Sequence, residues 1–402
     1  MPAPIVPLRI TAHTATSAAG RGRAALLEAL RTRSTGLTPN DFGAAPLPCF
    51  IGRVAGLEDA PLPARFANWE CRNNRLAWLG LQADGFLEAA LAARARYGAD
   101  RVALVLGTST SSIGASEEAY RALEPDGSYP PHLRRPIVHT PHSLGDFVAA
   151  ALGLEGPSVT VATACSSSAK VFAQAERLIR NGVADAAIVG GVDTLCGSVL
   201  YGFNALGLVS PEPCRPFDPE RRGISIGEAA GFALLEKRDA AAPGAGPWLL
   251  GYGESSDAHH MSSPHPEGLG ARLAMADALA RAALAPEAID YVNMHGTASQ
   301  KNDEVEAQVI AAMFPATTRA SSSKGWTGHT LGAAGIVEAV VTLLAIEHGF
   351  MPGTLNARTL DAACGPQILL DNETRAVRHA ASNSFGFGGN NCVLLFGAAG
   401  TA

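Results

Sequence analysis

The sequence predicts an α/β fold. Short apolar, β-branched stretches alternate with segments of helical periodicity, the pattern of a sheet covered by helices. The alternation stops at an Ala/Pro/Gly stretch, residues 240–247, and then starts again, which suggests two similar passes. Of the 402 residues 47% are apolar, enough to bury a large core without disulfides or metals.

Residues 101–106 (RVALVL) read as a buried strand, followed by a Ser/Thr turn and a helix over 113–123. Residues 144–152 read as a helix and 158–163 as a strand. In the helix that follows, 166–180, Val171, Phe172, Ala175, Leu178 and Ile179 share one face. The strand 184–189 (ADAAIV) ends on a Gly-Gly turn. The second pass has strands at 249–253 and 289–294, helices at 272–284 and 304–313, and a long apolar helix at 332–347. Two late strands, 377–382 and 392–396, flank a glycine loop. Mostly parallel sheets are expected, in two units, 1–245 and 246–402.

The net charge of -6 argues against a nucleic-acid partner. Seven cysteines, at 49, 71, 165, 196, 214, 364 and 392, form no C-x-x-C pair and are odd in number. Neither a disulfide framework nor a zinc cluster fits that spacing. The first twenty residues lack a basic flank followed by a long apolar run, and no stretch has the ~18 uninterrupted apolar residues of a membrane span. A cytoplasmic, reducing location is expected.

Four stretches could carry chemistry. Cys165, in VATACSSSAK, stands where a strand hands over to a helix, with Ser166–Ser168 available as caps. At a helix start the dipole lowers a thiol pKa and favours thiolate near neutrality; a small buried thiol is the ordinary alternative. His295, in YVNMHGTASQKNDEVE, follows an apolar strand and precedes a glycine turn, where open α/β sheets bind ligands. Strand-end histidines are also common structural hydrogen-bonders. Glu304 and Glu306 suit the opening of the next helix. Lys324 and His329 lie in SSSKGWTGHTLGAAG, whose small residues allow close backbone approach; a solvated lysine beside tight helix packing explains it equally. NSFGFGGNN, 383–391, is a glycine loop carrying aromatics. It is no phosphate loop, since neither Lys-Ser/Thr nor a helix follows it.

Taken in order, GPSVTVATACSSS, IVGGVD, RPFDPERRG…GEAAG, NMHGTASQKNDEVE, SSKGWTGHTLGAAG and NSFGFGGNN make the chain resemble the elongating β-ketoacyl-acyl carrier protein synthases, from about Pro4 to Phe396. The resemblance implies a thiolase-like, pseudo-duplicated, five-layer αβαβα architecture with mixed sheets. It implies that Cys165 is the acylated nucleophile, His295 and His329 the catalytic histidines, and Lys324 with Glu306 a supporting ion pair. Thr297 and Ser299 match positions that bind phosphopantetheine. Phe387 matches a gating aromatic followed by Gly388 and Gly389, and its N–H joins that of Cys165 as an oxyanion hole. No bound cofactor is implied, because the substrates ride on the phosphopantetheine of an acyl carrier protein. The second partner is an identical chain or a ketosynthase-like chain-length subunit. Arg72, Arg75, Arg134 and Arg135 are candidates for docking the acidic carrier.

Some positions depart from the family pattern. GEAAG stands for GEGAG, Arg221-Arg222-Gly223-Ile224 for Arg-Asp-Gly-Phe, and Asn390 for threonine. HTPHSLGDF, 139–147, is not the usual interface sequence. WECRNNRLAW, 69–78, is similar to condensing enzymes of aryl polyene pathways. A degradative thiolase would want a second cysteine in the late glycine loop, and an initiating enzyme an asparagine in place of His329. A non-catalytic partner subunit would have lost Cys165.

Overall fold

The computed structural model describes residues 3–237 and 246–401. The proposed boundary at 245/246 borders a segment, 238–245, that lies outside the described residues. Among the described residues, ten of the sheet's eleven strands form one continuous path. Five belong to the first pass: β1 (Leu8–Ser17), β2 (Val102–Gly107), β3 (Ser158–Val161), β4 (Ala186–Asp193) and β5 (Ala229–Glu236). Five belong to the second: β6 (Trp248–Ser256), β7 (Tyr291–Asn293), β8 (Arg319–Ser321), β9 (His379–Gly386) and β10 (Asn390–Gly397). Their order across the sheet is β8-β7-β9-β10-β6-β1-β5-β4-β2-β3.

Within each pass the strands run in the order third, second, fourth, fifth, first. In both, the second strand pairs parallel with the third and fourth, and the fifth runs antiparallel to its neighbours. Even the irregularity repeats: β1 slips register between Ile10 and Ala12, and β6 between Leu249 and Gly251. The duplication suggested by the alternation is therefore present strand by strand. The expectation of mostly parallel sheets is corrected. Each pass turns its fifth strand back, and the passes join edge to edge, Leu8 opposite Leu249 and Arg9 opposite Trp248.

Helices form three further layers. The first outer layer contains α1 (Arg72–Leu81), α2 (Phe86–Tyr97) and α3 (Ser143–Leu152). Its Leu76, Phe86 and Phe147 pack on Val102, Leu104 and Leu106 of β2. Between the half-sheets lie α4 (Ser167–Arg180) and, from the second pass, α7 (Ala334–His348). Phe172 of α4 and Ile336 of α7 share one core with Ala103 and Val105 on the opposite face of β2, and with Leu394 and Phe396 of β10. The far outer layer is α5 (Leu269–Ala282) and α6 (Gln300–Met313), packed on Val292, Val393 and Leu395. β2 is buried on both faces, which is why it reads as an unbroken apolar run.

The stretch Leu331–His348 is long and apolar enough to cross a bilayer, yet 89% of it is buried inside the protein. It is the central core helix. Gly335 lets it touch α4: a Cβ there would fall 2.5 Å from the Ala169 nitrogen.

Candidate active site

The site draws on strand ends from both passes, Cys165 following β3 of the first and His295 following β7 of the second. Cys165 is not at the helix start itself. It sits in a single 3-10 turn, Ala164–Ser166, that precedes α4. Ser166 and Ser167 do not cap the helix as their spacing suggests. Ser166 Oγ donates to Thr163 O at 2.9 Å, and Ser167 Oγ donates to Ala164 O at 2.6 Å, which stitches the turn.

His295 leaves the end of β7, and His329 lies in an extended stretch. The His329 N–H donates to Ser225 O at 2.7 Å, and its carbonyl accepts from Gly227 N at 3.0 Å. Left-handed backbone lies within three residues of each: Ala164 (φ 51°), Ala298 (φ 67°) and Leu331 (φ 57°). Such conformations cost about 1–3 kcal/mol each and persist where packing over-determines them, characteristically at functional sites.

The three side chains meet. Cys165 Sγ lies 3.0 Å from His329 Nε2. The rings of His295 and His329 are 5.3 Å apart and nearly perpendicular, and ligand atoms of all three residues fall within 4.8 Å of one another. They face a cavity of about 390 Å³. Thr297, Ser299, Phe387, Gly388 and Gly389 also line it. Phe387 stacks on Phe203 with ring centroids 5.5 Å apart, and its N–H points at the Cys165 sulfur. Gly386 is needed at the neck of that loop, because a Cβ there would meet Thr163 O at 2.9 Å.

The expected ion pair is corrected. Lys324 is 1% exposed, so it is no surface charge, and its ammonium binds the Glu338 carboxylate and the His295 carbonyl. It also lies 3.4 Å from His295 Nδ1. Glu306 instead accepts the N–H groups of His295 and Gly296, both at 2.8 Å, and the Asn383 amide at 3.0 Å. It braces the histidine backbone rather than neutralising the lysine. Glu338 is not among the expected site residues, although an acid in the middle of the apolar stretch 332–347 was the available signal. Among the described residues, Glu338 Oε2, Asn293 Oδ1 and Asn383 Oδ1 are buried without a partner. Oxygens of this kind suit ordered water or a hard cation.

Burial pushes the Cys165 thiol up to about 11, against the opposing pull of the Lys324 charge and the Phe387 N–H. Removal of solvent in so enclosed a site opposes the lowering expected at a helix start. Burial, reinforced by the Lys324 charge, drives both histidines well below the ordinary imidazole value, so they are neutral at pH 7. Burial raises both Glu306 and Glu338 to about 7. Iodoacetamide labelling of Cys165, read by peptide mass spectrometry, should therefore keep rising with pH beyond 9. A plateau by pH 7 would contradict a raised thiol.

Three of the four candidate docking arginines already have acidic partners. Arg72 is bound to Glu228 and Glu58, Arg75 to Glu70, and Arg135 donates to the Glu70 carbonyl at 2.7 Å and approaches Glu118 at 3.9 Å. Among the described residues, Arg134 alone of the four has no carboxylate within 4.0 Å. It is exposed and bonded to Tyr129 O and Ser128 Oγ.

Two family models cover most of the chain, the N-terminal domain of β-ketoacyl synthase over residues 74–241 and its C-terminal domain over 248–358. This chain belongs to the β-ketoacyl synthase family. It is 36% identical over 304 residues to nodulation protein E of Rhizobium meliloti, covering 74% of this chain and 75% of that one. The mitochondrial 3-oxoacyl-[acyl-carrier-protein] synthase of Arabidopsis thaliana is 42% identical over 262 residues, 61% of this chain and 57% of that longer protein. A solved ketosynthase, ApeO of Xenorhabdus doucetiae in complex with its chain length factor ApeC, superposes with a TM-score of 0.87 over 98% of both chains at 35% identity. The layered strand order and the meeting of Cys165, His295 and His329 are thus features of a β-ketoacyl synthase. The departures fall in different places. Ala229 of GEAAG packs on Ala333 and Val337, away from the cavity, whereas Arg222 and Ile224 line it.

Proposed function

We propose that this β-ketoacyl synthase joins an acyl group held on Cys165 to malonyl-acyl carrier protein by decarboxylative Claisen condensation. The observation that carries the reading is the 3.0 Å approach of Cys165 Sγ to His329 Nε2, with His295 beside it in one cavity. Cys165 attacks the thioester carbonyl carbon while its proton passes to His329 Nε2 and on to the departing carrier thiol. A buried thiol needs such an acceptor. The developing oxyanion meets the N–H groups of Cys165 and Phe387, each worth about 3 kcal/mol.

The malonyl thioester then loses CO₂ and its electron pair becomes an enolate. Lys324 faces His295 Nδ1, which leaves Nε2 of that ring to carry the proton and donate it into the cavity. Once Cys165 is acylated its sulfur has no proton to offer, so the Nε2–H form of His329 donates beside it. Two neutral N–H donors lower the enolate's energy without protonating its carbon. That carbon attacks the acyl-Cys165 carbonyl and releases the β-ketoacyl thioester. Phe387, on a turn with Gly388 at φ 76° and Gly389 at φ 72°, closes the cavity against water.

Thr297 and Ser299 hold the phosphopantetheine arm in this reading, and no other cofactor is required. An acyl carrier protein is the delivering partner. A second subunit, identical or of the chain-length type, completes the assembly. Retention of Cys165 makes this chain the catalytic member. The decisive experiment is incubation with malonyl-carrier and a panel of acyl-carriers, saturated and polyunsaturated, alone and with candidate partner subunits. A product heavier by one two-carbon unit supports the reading; acyl transfer without CO₂ release overturns it.

A further inference from the structure

Arg221 is a guanidinium with 2% of its side chain exposed, and the chemistry above makes no use of it. It bridges three segments. Nη1 donates to Asp361 Oδ2 at 2.7 Å and to the Asp218 carbonyl at 2.9 Å, while Nη2 donates to the Gln300 carbonyl at 3.0 Å. The contact with Gln300 is reciprocal, since Gln300 Nε2 donates to the Arg221 carbonyl at 2.6 Å. Two residues on, Gly223 N donates to Ala298 O at 3.1 Å.

The same segment is also held by Asp303, which is buried 3.8 Å from Arg221 Nε. Asp303 accepts the Ala298 N–H at 3.1 Å and the Phe217 N–H at 2.8 Å. The segment gripped in this way carries Thr297 and Ser299, with Ala298 between them in the left-handed region. Their hydroxyls are 2.9 Å apart and both side chains line the cavity. A non-glycine residue at positive φ keeps that shape only under external restraint. Arg221, through the Gln300 carbonyl, and Asp303, through the Ala298 N–H, supply the restraint.

We propose that Arg221 is a positioning residue that sets Thr297 and Ser299 in register for the pantetheine arm of a carrier-bound thioester, with Asp361 as its outer anchor. This rests on the reading of the cavity as a carrier-thioester site. A planar fork is required because its N–H groups must reach a carboxylate and two carbonyls at fixed angles, which a lysine cannot do. Asp361 is the gentler place to test the device. Its side chain is 26% exposed, and an asparagine there still offers Arg221 Nη1 an acceptor while Asp303 stays 3.8 Å from Arg221 Nε.

Asp361→Asn should raise KM for the acyl-carrier substrate about fivefold to tenfold and change kcat less than twofold. Iodoacetamide labelling of Cys165, which needs no pantetheine contact, should be unchanged. Asp361→Glu, which keeps the carboxylate, should recover part of the lost affinity. Arg221→Lys, measured alongside as an independent variant, should shift KM in the same direction. An unchanged KM in a folded Asp361→Asn protein overturns the proposal. So does a parallel fall in kcat, affinity and labelling, which would mark general loosening. Absence of condensation by the unaltered enzyme would instead strike at the proposed function.

Discussion

Cys165→Ala should lower condensation by roughly 10⁴-fold or more, since no other group can hold the acyl chain between the two half-reactions. Intact-protein mass spectrometry after incubation with acyl-carrier should show the acyl adduct in the native enzyme and none in the variant. Cys165→Ser should be nearly as damaged. A hydroxyl is far harder to ionise than a thiol, and here burial already opposes ionisation of the sulfur. The fold should survive both changes, because the side chain shrinks or keeps its size next to a cavity rather than inside the packed core. A serine variant that turns over at the native rate would remove the nucleophile from the mechanism.

Lys324→Met should be costly in a different way. The change strands the Glu338 carboxylate, which is fully enclosed, and breaking one member of a buried ion pair costs about 3–5 kcal/mol. The denaturation midpoint should fall clearly. Adding Glu338→Leu removes the stranded charge and should recover most of that stability, since apolar replacement of a buried pair is often neutral or better. Activity should not recover with it. Without the ammonium facing Nδ1, His295 loses the contact that keeps its proton on Nε2, and the enolate loses one of its two donors. Release of CO₂ from malonyl-carrier should stay down about 10²- to 10³-fold in the stable double variant, the usual loss for one such donor. A double variant that releases CO₂ at the native rate would show that Lys324 serves the fold alone.

Much of the architecture was legible because its periodicities are local. A run such as VALVL, buried on both faces, has to be a central strand, and the stripe Val171, Phe172, Ala175 and Ile179 has to face a core. The turn of the fifth strand in each pass was not legible. Reversing a strand changes its neighbours, not its own pattern, so β10 reads the same way in either direction, and β5 is not among the expected strands at all. Element ends moved too. α6 starts at Gln300 rather than 304, because Asp303 and Glu306 turn inward to bind loop N–H groups instead of facing solvent at a helix start.

By itself, the sequence determined the α/β alternation, its repetition about residues 240–247, and the order in which a thiol, two imidazoles and a glycine loop follow strands. Only the tertiary structure decided which charges pair and which are silent. Glu306 and Glu338 stand 18 and 14 residues from Lys324, and nothing along the chain favours one over the other. α7, packed beneath the lysine turn, puts Glu338 in reach and leaves Glu306 to the backbone. The same holds for Arg72, which Glu58 and Glu228, 14 and 156 residues away, neutralise, and for the thiol of Cys165. Its ionisation depends on how much water surrounds it, and that is a property of the closed cavity, since a chain read residue by residue does not specify its solvent.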